Sequence, residues 1–133
     1  MQIDGRCHCG FTAFEATVDP RRVSVCHCTD CQTLTGSPFR VTVLTAPGNI
    51  HLTGASPKLY IKVGDSGARR HQYFCPECGT PLFACGDADA GEWGIRWGCI
   101  RQRADLKPVR QIWRRSAVPW LCEIDRLPGR PAD

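Results

Sequence analysis

Apolar and β-branched residues recur along this chain at period two, in short runs, with little sign of the helical period of 3.6. Phe39-Arg40-Val41-Thr42-Val43-Leu44 and Trp93-Gly94-Ile95-Arg96-Trp97-Gly98 alternate in this way. Phe11–Val18 is rich in β-formers, with an alternation imperfect around Ala13 and Phe14, and Leu59-Tyr60-Ile61-Lys62-Val63 adds a further short run. Turn-forming residues separate them: Asp19-Pro20, Ala46-Pro47-Gly48-Asn49, Gly64-Asp65-Ser66-Gly67 and Gly86-Asp87. Short strands with frequent turns predict an all-β or mostly β fold. Residues 28–36 and 101–107 are candidates for short helices, and the tail from 128 to 133 is expected to fray. A length of 133 residues fits one domain over 1–133.

Composition narrows the class. With 42% hydrophobic and 23% charged residues the chain is globular rather than disordered. No apolar run approaches the roughly 20 residues that span a bilayer, so no membrane partner is expected. Met1-Gln2-Ile3-Asp4-Gly5-Arg6 lacks the apolar core of a secretory signal, and the chain reads as cytoplasmic, where thiols stay reduced. Ten cysteines in that setting point to metal before disulfides. The formal charge of +4 counts them as neutral. Ionising seven metal-ligating cysteines and adding two Zn²⁺ brings the total to about +1. That removes most of the case for nucleic acid, whose one candidate surface is the Arg101–Arg103 and Arg110–Arg115 region.

Seven cysteines fall in three clusters. Gly5-Arg6-Cys7-His8-Cys9-Gly10 would direct both thiols to one side if extended, and its glycines would let the backbone turn closely around an ion. Phe74-Cys75-Pro76-Glu77-Cys78-Gly79 has the spacing of a zinc knuckle. Each offers two ligands where a closed structural site needs four, so the economical solution joins Cys7 and Cys9 to Cys75 and Cys78. Cys26-His27-Cys28-Thr29-Asp30-Cys31 differs in offering three thiols within six residues. Three protein ligands with an exchangeable fourth position mark a catalytic metal. Equally, Cys85, Cys99, Cys122 or His27 could complete a closed site. Otherwise Cys85, Cys99 and Cys122 read as small buried hydrophobes, the four tryptophans as core, and His8, His51 and His71 as structural or surface residues.

Taken in order, these motifs are similar to those of the glutathione-dependent formaldehyde-activating (GFA) family, which includes centromere-protein-V-like members. The resemblance extends beyond the ligands to Gly36, Tyr60, Asp65-Ser66-Gly67, Thr80-Pro81-Leu82-Phe83 and Ile112-Trp113…Pro119-Trp120, covering roughly residues 5–128. It implies an Mss4-like fold of mostly antiparallel sheets built around a structural zinc, with short helices at most. It also implies that Cys7, Cys9, Cys75 and Cys78 hold that structural zinc, while Cys26, Cys28 and Cys31 hold a second, catalytic-type zinc. The implied activity is that of a carbon–sulfur lyase, S-(hydroxymethyl)glutathione synthase, with glutathione or a related thiol and formaldehyde or a small aldehyde as partners. Three thiolates take Zn²⁺ to a net charge of −1, which favours delivery of a thiol over polarisation of the carbonyl. Arg40, Arg69 and Arg70 are candidates for the thiol's carboxylates, each with a solvated surface role as the alternative. Asp30 and Thr29 are expected to satisfy backbone groups in the cysteine loop rather than transfer protons. A non-catalytic, zinc-stabilised interaction module is the competing reading.

Overall fold

The computed structural model of the chain describes residues 1–87 and 91–132. Asp133, the end of the expected frayed tail, lies outside them. Among the described residues there are ten short strands and one α-helix, besides short 3₁₀ segments: β1 (Gln2–Arg6), β2 (Ala13–Thr17), β3 (Val23–Cys26), α1 (Thr29–Thr35), β4 (Arg40–Thr45), β5 (Ile50–Leu52), β6 (Lys58–Val63), β7 (Arg69–Phe74), β8 (Pro81–Gly86), β9 (Trp93–Arg96) and β10 (Arg110–Ile112). The mostly β expectation holds, and so does the short helix near residue 30. Around residue 104 only a single 3₁₀ turn forms, over Arg103–Asp105.

Two sheets form, one of three strands ordered β1-β2-β5 and one of seven ordered β10-β3-β4-β9-β8-β7-β6. Pairing is antiparallel throughout except for β10, which runs parallel to β3. Register explains the alternation seen in the sequence. Val23, Val43, Ile95 and Phe83 stand opposite one another across β3, β4, β9 and β8, so they share one face of the large sheet, and all four are buried. That face packs on Ile3, Phe14 and Ala16 of the small sheet, where the rings of Phe14 and Phe83 meet edge-to-face at 4.9 Å between centroids.

The opposite face of the large sheet is unusually polar. Cys26 stands across from Arg40, Thr42 across from Arg96, and Gln72 across from Ala84. A half-buried sheet normally turns such residues to water. Here Arg40 and Thr42 are buried, so the groups beside them must satisfy their polar atoms.

Candidate metal and thiol site

Both ends of the first site are built from the same turn. Cys7 and Cys9 lie in the β1–β2 connection; Cys75 and Cys78 lie in the β7–β8 connection. In each, the glycine N–H closes on the first cysteine's carbonyl: Gly10 to Cys7 O at 3.1 Å, and Gly79 to Cys75 O at 2.9 Å. Both glycines have positive φ, +84° and +74°, which is why the motif ends on the one residue free of a Cβ. The convergence of Cys7 and Cys9 therefore comes from a tight turn and not from strand pleating.

The turns meet. Cys7 Sγ lies 3.6 Å from Cys9 Sγ, which lies 3.8 Å from Cys75 Sγ, and the four sulfurs lie within 4.8 Å of one another. Tetrahedral thiolate ligation of an ion such as zinc, with metal–sulfur bonds of about 2.3 Å, requires sulfur–sulfur edges of about 3.8 Å. Disulfides would need about 2.05 Å, and all ten cysteines are free thiols. Donors already point at the sulfurs: Thr12 N–H to Cys7 Sγ at 3.3 Å, and the Thr80 hydroxyl 3.1 Å from Cys78 Sγ. As a free thiol Cys78 is held down to about 5, first by that hydroxyl and then by the N–H groups of Cys9 and Thr80. Cys7 and Cys75 are buried in the core, so a metal there would join the two sheets. The donor set fits a metal ion closely.

The second cluster is local. Cys26 ends β3, Cys28 caps α1, and Cys31 sits in its first turn. Their sulfurs also lie within 4.8 Å of one another, and Cys31 N–H donates to Cys28 Sγ at 3.3 Å. Among the described residues no fourth His, Cys, Asp or Glu joins them. Every candidate for closing the site is engaged elsewhere. His27 is buried and turns away, its Nε2 2.8 Å from Gln111 Oε1. Cys99 donates to Arg96 O at 2.9 Å, Cys122 to Pro119 O at 3.2 Å, and Cys85 lies on β8 beside Tyr73. Gln32 ties the cluster to the C-terminal segment, its Nε2 donating to His27 O at 2.8 Å and to Ser116 O at 3.0 Å.

Cations surround the three sulfurs. Arg40, opposite Cys26, is buried, and its charge acts on all three thiols. Lys62 of β6 reaches over to Asp30 at 2.6 Å and acts on Cys28 and Cys31. Burial, followed by the neighbouring thiols, pushes Cys31 up to about 12 as a free thiol. An ion that ionises the thiols would remove that penalty. Two cavities of about 450 and 430 Å³ share Arg40, Pro81 and Arg96 as walls; none of the three cysteines lines them, and Arg40, the cross-strand neighbour of Cys26, is their link to the cluster. Both fall in the size range of small-molecule sites, about 300–1,000 Å³. A larger hollow of about 1,050 Å³ runs along β1 and the Gly98–Arg103 segment, away from the triad.

Several expectations need correcting. Cys85 and Cys99 are buried, but Cys122 is exposed, because the 3₁₀ segment Pro119–Arg126 lies on the surface. Trp93 and Trp97 pack against the core, whereas Trp113 and Trp120 are half exposed. Asp30 pairs with Lys62 rather than satisfying the loop backbone. Of the three candidate arginines, Arg69 is exposed and pairs with Asp87 at 3.4 Å, Arg70 is exposed, and Arg40 is no surface residue at all. Arg96 and Gln72 were not singled out by the sequence, since only strand register brings them to Arg40.

A family model described as glutathione-dependent formaldehyde-activating enzyme matches residues 2–116, a span containing both cysteine clusters. No curated protein matches the chain. Among solved structures, a crystal structure of a Rhodobacter sphaeroides protein, a structural genomics target, is similar with a TM-score of 0.62 at 21% identity. The match covers 81% of this chain and 98% of that one; at this identity the likeness is one of fold.

Proposed function

The chain belongs to the glutathione-dependent formaldehyde-activating family, and from that premise we propose that it is a zinc-dependent carbon–sulfur lyase joining glutathione, or a related thiol, to formaldehyde or another small aldehyde. In this reading residues 1–133 act as one cytoplasmic domain with two zinc ions. Cys7, Cys9, Cys75 and Cys78 hold the structural ion, and Cys26, Cys28 and Cys31 hold the catalytic one. The observation that carries the reading is the triad itself: three sulfurs gathered within 4.8 Å of one another, with no fourth His, Cys, Asp or Glu donor among the described residues. The competing interaction module would need that donor.

A zinc ion on the triad would lower the pKa of a bound thiol, so that the thiolate exists at neutral pH. In the reaction, sulfur forms a bond to the aldehyde carbon, the C=O π pair moves to oxygen, and the proton lost by the thiol ends on the new hydroxyl. Addition of thiols to formaldehyde needs little chemical help, so the chain's contribution is mainly to bring the two together. Arg40 and Lys62 keep positive charge beside the sulfurs, which favours their ionised form and draws an anionic thiol in. Leu34, Tyr60 and Phe74 line the cavity next to Arg40 and offer apolar surface for the body of the substrate.

Exchange NMR on glutathione and formaldehyde tests this. Zinc-loaded protein should raise the rate at which S-(hydroxymethyl)glutathione and free glutathione interconvert, and Cys28→Ser should lose the effect. Absence of both rate enhancement and thiol binding in the zinc-loaded wild type would sink the proposal.

A further inference from the structure

Two guanidinium groups meet behind the triad with no carboxylate of the described residues paired to either. Arg40 Nη1 and Arg96 Nη2 both donate to the one Gln72 Oε1, at 3.1 and 2.7 Å, and Arg96 Nη1 donates to Thr42 Oγ1 at 2.9 Å. These acceptors are neutral. Among the described residues neither arginine forms an ion pair, and Arg40 Nε is buried with no partner at all. Burial and the adjacent Arg40 charge pull the Arg96 guanidinium down to about 9, which still leaves it charged at neutral pH. Arg40 is buried and Arg96 half-buried, and like charges held side by side out of water are costly. A metal-loaded triad with a net charge of −1 would answer only one of the two, which leaves a positive charge for an anion to meet.

The two cavities mark where that anion would sit. Both arginines wall the two cavities, among Leu34, Tyr60 and Phe74 in one and Phe39 and Trp97 in the other. An apolar pocket with a few convergent polar groups is the usual design for fixing a ligand's orientation. A carboxylate has two oxygens and one charge, and guanidinium groups recognise it geometrically as well as electrostatically. Arg40 stands opposite Cys26, so the same ligand can place its thiol at the triad and its carboxylate at the arginines.

We infer that Arg40 and Arg96, aligned by Gln72, form the specificity pocket for a carboxylate carried by the thiol substrate. This rests on the triad being the thiol site. It predicts selection for thiols that carry an acid over thiols that do not, and it gives Gln72 a positioning role as the shared acceptor that sets the guanidinium planes.

Calorimetric titration of zinc-loaded protein separates the possibilities. The ligands are glutathione, its glycyl ethyl ester, its γ-glutamyl α-carboxamide and 2-mercaptoethanol. Losing the recognised carboxylate should weaken binding about 10–100-fold, and which modified glutathione shows the loss says whether the glycyl or the γ-glutamyl acid is read. Arg40→Gln and Arg96→Gln should weaken glutathione by a similar factor while leaving the affected derivative unchanged, so that acid and derivative bind alike. A purely structural role would lower both ligands equally and would overturn the inference. So would wild-type protein that binds glutathione and both derivatives equally, although the thiol-site reading would then stand. If neither glutathione nor 2-mercaptoethanol binds, both readings fall. Should the glutamine variants not fold, Arg96→Lys and the wild-type derivative series decide the matter.

Discussion

Replacing Cys75 by serine should unfold this protein, whereas replacing Cys28 should not. Cys75 is fully buried in the core and its sulfur is 3.8 Å from that of Cys9, 66 residues away in sequence. A metal bridging them closes a loop of that length. Treated as a cross-link, such a loop removes about 14–15 cal/mol/K from the unfolded chain, or about 4 kcal/mol at 25 °C. Domains of this size have only about 5–15 kcal/mol in total, and a serine hydroxyl left in an apolar site costs about 1–3 kcal/mol more. Cys28, by contrast, belongs to a ligand set confined to residues 26–31 at the surface end of α1. Its replacement by serine opens a local ring but keeps the start of α1, because a serine hydroxyl at the N-cap accepts the same backbone N–H. Soluble yield, thermal unfolding followed by circular dichroism, and metal content by mass spectrometry should therefore divide the variants. Cys75→Ser should be insoluble or lack a cooperative transition. Cys28→Ser should melt cooperatively with one zinc per chain instead of two. Identical behaviour of the two variants would refute the division of the cysteines into a stabilising set and a reactive set.

Thr80→Val removes the hydroxyl beside Cys78 Sγ and the acceptor of His8 N–H, so chelator competition should show about 10–100-fold weaker metal binding at the four-cysteine site. His27→Ala leaves a hole behind the triad and strips Gln111 of its partner; denaturant unfolding should show a loss of about 2–4 kcal/mol with the second metal weakened but retained. Arg101 and then Gln102 hold the Asp4 carboxyl below its ordinary value near 3.8. A group whose folded pKa is depressed stabilises above its unfolded value, and that stability disappears as pH falls through the folded one. Asp4→Asn should accordingly flatten the fall in unfolding free energy below about pH 4, measured against the wild type; an unchanged slope would discount the Asp4–Arg101 pair.

How far the sequence carried depended on how local each signal was. The runs of β-formers became β2, β4, β6 and β9; β2 alternates buried and exposed residues and β4 and β9 put Val43 and Ile95 in the core, whereas β6 lies at the sheet edge with no buried residue. β8 gave no such pattern: Leu82, Phe83, Ala84 and Cys85 are all buried, and a strand covered on both faces does not alternate. β7, Arg69–Phe74, reads as polar for the opposite reason, since part of it serves the charged face. The cysteine clusters were legible because ligands within each lie two to five residues apart, a spacing fixed by turn and helix geometry. Gln72 and Arg96 left no mark in the sequence. They stand 24 residues apart and reach each other only through the sheet.

The two cysteine sets also differ in when they can exist. The triad is complete once residue 31 has left the ribosome, and it needs only one strand end and one helical turn to assemble. The four-cysteine set is incomplete until Cys78 has been made, and its halves come from turns of two different sheets. Contacts so distant in sequence form late and slowly. A chain under synthesis therefore holds all three thiols of the triad well before it holds the second half of the four-cysteine set.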